Sequence, residues 1–137
     1  MDNIEQELYQ VAVELVNVRY PSGGGGGAAA IRTESGEILT SIAPDTKNDA
    51  LSLCMEVGAY LQAHKLNERV THSLCLCREN ENDEFLILSP CGVCQERLVH
   101  WGGDVKAAIT TPDNALVFKT IRELMPHHWS LVNGKAL

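Results

Sequence analysis

The sequence has no apolar run approaching the roughly 20 residues that a spanning helix needs, although 45% of its 137 residues are hydrophobic. Positive charge is scarce. Eleven Lys and Arg face 18 Asp and Glu, for a formal net charge of −7. Phosphate backbones attract basic faces, so neither a duplex-binding surface nor a basic channel for a single strand is expected. A secretory signal is missing too: Met1-Asp2-Asn3-Ile4-Glu5-Gln6-Glu7 is acidic and amphipathic. Nor do the thiols make an even number. Five cysteines without an export signal argue against a disulfide framework, and for metal binding or catalysis in a reducing cytoplasm. No internal repeat or domain boundary interrupts the chain. Its length suits one domain, residues 1–137, large enough to bury a core. Nucleic acid and membrane are thereby excluded as partners, and free small molecules remain.

Hydrophobic periodicity predicts the elements. Ile4, Leu8, Val11, Leu15 and Val18 have the spacing of one buried helical face. Pro21 and the run Gly23 to Gly27 end it. Strands are expected over 28–31 and 37–42 around Glu34-Ser35-Gly36, followed by a polar loop through 43–49. A helix over 51–65, with Ser52 as its N-cap, precedes strands at 70–77 and 85–88. The acidic stretch between those strands, 79–84, reads as a solvated turn. Pro90 opens a helix reaching about His100 and closed by Gly102-Gly103. Strands at 105–110 and 115–119 and a short helix at 120–125, stopped by Pro126, complete the chain. Strands paired first, then alternating with helices, imply an α/β fold: a mixed sheet with helices on both faces.

Two segments carry chemistry. Cys54-Met55-Glu56 begins one helix, and Ser89-Pro90-Cys91-Gly92-Val93-Cys94 begins another, directly after an apolar strand. Cys91 and Cys94, three apart on a helix, share a face and can reach one ion. Helix N-termini favour the thiolate that a metal requires. Cys54 would supply a third thiolate, leaving one position of tetrahedral zinc open, which marks a catalytic site. Zinc lowers the pKa of bound water from about 16 toward 7. Glu56, two residues from a ligand, is placed to take the proton of that water and pass it to a substrate. C-x-E followed by P-C-x-x-C is the zinc-deaminase signature, with Cys in place of the first His.

Competing readings are blander. A redox C-x-x-C needs neither Cys54 nor Glu56. A closed, structural four-thiolate site would recruit Cys75 or Cys77. These two are read as facing opposite ways along a strand and, with nothing pairing them to the C-x-x-C, as small core residues. His64, His72, His100, His127 and His128 lack ligand spacing and are expected at the surface or in loops; Trp101 and Trp129 are expected to pack or to lie at interfaces.

At these motifs the chain resembles the small Cys-type cytidine deaminases, with features of the blasticidin S deaminase branch. Ala29-Ala30-Ile31 followed by Ser35-Gly36 matches the family's A-A-L … D-G hairpin. Ser89-Pro90-Cys91-Gly92-Val93-Cys94-Gln95 matches its S-P-C-G-x-C segment, and Glu123-Leu124-Met125-Pro126 its E-L-L-P. The resemblance implies a three-layer α-β-α sandwich with a mixed five-stranded sheet and a homotetramer with active sites near subunit interfaces. It also implies hydrolytic replacement of an exocyclic amine by a carbonyl in a cytosine nucleoside or analogue, releasing ammonia. Carried over, Cys54, Cys91 and Cys94 hold one zinc per subunit and Glu56 shuttles protons. Asp45, Met55 and Ser89 become substrate-binding positions, the carbonyl of Ser89 toward the leaving amine. The departures lie at the substrate end. The family's ribose-binding N-x-E becomes Ala43-Pro44-Asp45, and its stacking aromatic falls near Gly25. The arginine after the catalytic glutamate becomes Val57, so the cysteines are expected to lean on backbone N–H groups. The glycine run is either a loop without specificity or, with Ala43, an opening of the pocket for bulkier groups.

Overall fold

The computed structural model describes residues 3–21 and 25–137; Gly23 and Gly24 of the glycine run fall outside them. Helix α1 (Asn3–Arg19) leads into β1 (Gly26–Thr33) and β2 (Ile38–Ser41). Then come α2 (Val57–Leu66), β3 (Val70–Arg78), β4 (Leu86–Leu88), α3 (Gly92–Leu98), β5 (Lys106–Ala108), β6 (Phe118–Thr120) and α4 (Ile121–Leu124). Helix α4 carries a capping box between Thr120 and Glu123, which satisfies two orphan backbone donors at its start.

The sheet runs β2-β1-β3-β5-β6, with β4 also paired to β3. Only β3 and β5 run parallel; the other ladders are antiparallel. The sheet therefore has six strands, one more than the resemblance implies. Strand β1 covers one edge of β3 along its whole length. The other edge is shared: β5 pairs with His72 and Ser73, and β4 with Cys75, Leu76 and Cys77. Two strands thus occupy one of five positions across the sheet.

Alternation along the central strands separates two cores. Ala28 and Ala30 of β1 and Leu74 and Leu76 of β3 pack against Leu8, Ala12 and Val16 of α1. Ile31 and Val70 face α2 and α3 on the other side, among Tyr60, Ala63, Leu98 and Trp101. Burying each large side chain there contributes about 1.5–3 kcal/mol. The result is the expected layering of helices on both faces. The buried stripe of α1 is Leu8-Ala12-Val16, and Val18 is largely exposed. Ala28 and Ala30 of β1 stand under α1, so the fully buried positions lie four apart, directly over them.

Helix α2 begins six residues later than expected. Asn48 caps a tight 3₁₀ turn at Asp49–Leu51, its side chain accepting from the Ala50 N–H, and Ser52 ends that turn in an extended conformation. The chain turns again at Cys54, whose carbonyl accepts from the Val57 N–H at 3.1 Å. Helix α3 spans seven residues and continues as a 3₁₀ turn through Trp101, closed by Gly102 at φ 103°. That positive φ suits glycine. Residues 79–84 are exposed, as expected of a solvated turn.

Candidate active site

Cys91 is the N-cap residue of α3 and Cys94 lies in its first turn. The turn is fixed locally: the Pro90 carbonyl accepts from Gln95 Nε2 at 2.8 Å, and the Cys91 carbonyl accepts from the Gln95 N–H at 2.8 Å. Cys54 approaches from the turn before α2. Its sulfur lies 3.4 Å from that of Cys91, and the three sulfurs all lie within 4.8 Å of one another. That separation is what three ligands around one small ion require.

Their electrostatics differ. The backbone N–H of Cys94 points at the Cys91 sulfur and holds that thiol below its ordinary value, as expected at a helix N-terminus. Burial pushes Cys54 up, and burial followed by the Glu56 carboxylate pushes Cys94 up. Three thiols and a carboxylate packed this closely ionise together only around a cation. Arg97, one turn beyond Cys94, offers partial compensation: its Nη1 donates to the Cys94 sulfur at 3.6 Å.

Glu56 is 3% exposed and sits at the head of α2 without capping it. Ser41 of β2 holds this helix start, its hydroxyl donating to the Met55 carbonyl at 2.6 Å and accepting from the Ala59 N–H at 2.9 Å. Helix and strand approach so closely that a Cβ at Gly58 would lie 2.8 Å from that of Ser41. Glu56 lines a cleft of about 200 Å³ together with Cys54, Met55, Cys75, Leu88, Ser89 and Cys91. Ligand pockets are commonly about 300–1,000 Å³, so the cleft accommodates a ring rather than a whole nucleoside.

Ser89 is held by Thr110, just beyond β5 on the same edge of β3. Its N–H donates to Thr110 Oγ1 at 3.0 Å, and the Thr110 N–H donates to Ser89 Oγ at 2.8 Å. Asn114 acts as a substitute strand for β4, accepting from the Ile87 N–H and donating to the Phe85 carbonyl. Ser41, Thr110 and Asn114 are the positioning residues that the sequence reading missed; each acts on a segment far away in the chain.

The structure therefore brings Cys54, Cys91, Cys94, Glu56, Met55 and Ser89 together, and leaves Asp45 apart. The Asp45 carboxylate is almost fully exposed and pairs with Arg19 at 3.5 Å. Cys75 and Cys77 are two apart on β3 and share a face, so the expectation of opposite directions fails. Cys75 is buried but lines the cleft, and Cys77 is half-buried beside Gly27 rather than in the core. Of the histidines expected at the surface or in loops, His72 departs, being buried within β3, whereas His128 lies in a loop as expected but is buried. His128 Nε2 lies 2.9 Å from both carboxylate oxygens of Glu96. His64 and His100 instead pack with Trp101, as the expected packing role of that ring requires.

The glycine run is dictated by close approach. A Cβ at Gly25 would lie 2.2 Å from the Glu79 carbonyl oxygen, and one at Gly26 would enter the Tyr20 ring. One at Gly27 would lie 2.8 Å from Met55 Cε. At Gly25 a neighbouring backbone, rather than an enlarged pocket, fills the space.

No protein-family model matches the chain. It is 30% identical over 131 residues to a blasticidin-S deaminase of Bacillus cereus, covering 90% of this chain and 93% of that protein. The crystal structure of a cytidine deaminase from Bacillus anthracis superposes with a TM-score of 0.93 at 55% identity, over 96% of this chain and 94% of the other. The chain belongs to the cytidine deaminase family. A Mycobacterium leprae cytidine deaminase, 20% identical with a TM-score of 0.69 over 92% of this chain and all of its own, shares the fold. Val57, where the resemblance implies an arginine, offers the cysteines no charge, and Arg97 reaches Cys94 from α3.

Proposed function

We propose that the chain is a zinc-dependent hydrolytic deaminase that converts a cytosine nucleoside or analogue to its uracil form. The observation that carries this reading is the buried Glu56 carboxylate in one cleft with the three-sulfur cluster. The donor set fits zinc: three sulfurs from two helix starts, one already biased toward thiolate, with the cleft on the open side. Cys54, Cys91 and Cys94 would hold one ion per subunit. When bound, it supplies Lewis acidity that brings a water within reach of ionisation near neutral pH.

The remaining steps belong to the chain. Glu56 takes a proton from the attacking water and delivers it to N3 of the ring, while the water oxygen bonds to C4. Glu56 then moves the hydroxyl proton to the exocyclic nitrogen; the C4–N bond breaks, ammonia leaves and the C4 carbonyl forms. Leu88 and Met55 line the cleft where the ring enters. The Ser89 carbonyl, fixed through Thr110, accepts from the leaving amine. A contact between Asp45 and substrate belongs to this proposal and would require release of its ion pair with Arg19; the close packing at Gly25 lends no support to relaxed tolerance for bulky N4 groups. A homotetramer accords with the small cleft and with exposed Leu61, Val93 and Trp129. Five free thiols suit a cytoplasmic setting, and the role is pyrimidine salvage.

The B. cereus relative favours a second reading, detoxification of blasticidin S. Ammonia release over cytidine, deoxycytidine, N4-substituted cytidines and blasticidin S separates the two. Glu56→Ala is the control, expected to retain zinc and lose deamination. A fully active Glu56→Ala variant would exclude the assigned role.

A further inference from the structure

We infer that Cys75 is a positioning residue for Glu56, its thiol holding the carboxylate between the sheet and the three-sulfur cluster; this rests on the deaminase reading above. The Cys75 sulfur lies 3.3 Å from Glu56 Oε2 and donates to it. The same carboxylate borders one cleft with Cys54 and Cys91 of that cluster. The donor is rigid. Cys75 is 4% exposed, and its backbone pairs with Ala29 on one edge and Leu88 on the other. The acceptor, by contrast, sits at the head of a helix on a side chain with three rotatable bonds and no capping bond to restrain it.

A thiol suits this place. It is a weak donor, so it can orient the carboxylate without competing strongly for its charge as the group gains and loses a proton. Cys75 lines the cleft, but its thiol is engaged by Glu56, and it acts through that carboxylate.

The test combines kinetics with infrared spectroscopy. Cys75→Ala should lower kcat roughly tenfold with KM unchanged, since misplacing an acid–base group affects turnover rather than binding. Cys75→Ser, which restores a donor, should recover part of the loss. In the zinc-loaded protein the three ligand cysteines carry no S–H, so the S–H stretch reports Cys75 and Cys77. One band should be lowered in frequency, vanish in Cys75→Ala and rise in Glu56→Ala. Wild-type kcat in Cys75→Ala, or an unshifted Cys75 band, would overturn the inference. If the wild-type protein releases no ammonia from any substrate, the deaminase reading fails and the catalytic role with it. A lowered Cys75 band would then still establish the bond.

Discussion

Ser41 joins strand to helix by clasping Met55: its hydroxyl donates to the Met55 carbonyl at 2.6 Å, and Glu56 follows immediately. The same oxygen accepts from the Ala59 N–H, so one side chain satisfies two backbone groups at the head of α2. Ser41→Ala should cost about 1–3 kcal/mol of stability, since both groups lose their partner. Denaturant midpoints measure that cost. Activity per folded molecule should also fall, because Glu56 is carried by the segment released; an unchanged midpoint would show that water replaces the hydroxyl.

Arg97 makes a second case, at the metal cluster. Its guanidinium reaches the Cys94 sulfur from one helical turn away. Removing an outer partner of a ligand commonly lowers metal affinity by about 10–100-fold. Arg97→Ala should therefore release zinc to a competing chelator at lower concentration than wild type, with Arg97→Lys between them. Equal retention in all three would leave the contact without electrostatic consequence.

How much of this was legible beforehand depended on where each partner lies in the chain. Cys91 and Cys94 declare themselves by a spacing of three, and Cys54 and Glu56 by the C-x-E start of a helix. Arg97 carries a signal of the same kind, an i,i+3 relation to Cys94, readable once Cys94 is taken as a ligand. Cys75, Ser41, Thr110 and Asn114 carry none, because each acts across a ladder or between separate layers. The late start of α2 was hidden because Ser52 is an acceptable N-cap in isolation. Asn48 instead caps a shorter turn, and the chain must still swing Cys54 toward α3 before the helix begins.

Gly27 and Met55 occupy complementary space. A Cβ at Gly27 would lie 2.8 Å from Met55 Cε and 3.0 Å from the Leu76 carbonyl oxygen. Gly27→Ala should destabilise by about 1–3 kcal/mol through overpacking, and Met55→Ala should relieve part of it. A double-mutant cycle reads the coupling, expected above roughly 0.5 kcal/mol for groups in contact. Additive effects would place the strain on Leu76 and Cys77.

Glu96 supplies a pH dependence. Hydrogen bonds from Trp129, first, and His128 hold its carboxyl below its ordinary value of 4.5. A carboxylate depressed by folding adds stability above its unfolded pKa, and that stability is lost as pH falls through the folded one. The difference in thermal midpoint between wild type and Glu96→Gln should be largest near neutrality and close on acidification. A difference constant across pH would mean that hydrogen bonding without charge accounts for it.

The shared edge of β3 has a further consequence. At Leu74 the parallel partner has departed and the antiparallel one has not yet arrived, so the sheet is notched beside Cys75. Leu88 and Ser89 leave on one lip of the notch, and Thr110 bridges from the other. Crevices at such divergences arise from strand order rather than from loops. Closing the notch would require breaking registers, so strand pairing alone holds it open, and little binding free energy goes into assembling it. The exposed hairpin tip at 79–84 lies outside this geometry, and changes of length there should leave the notch intact.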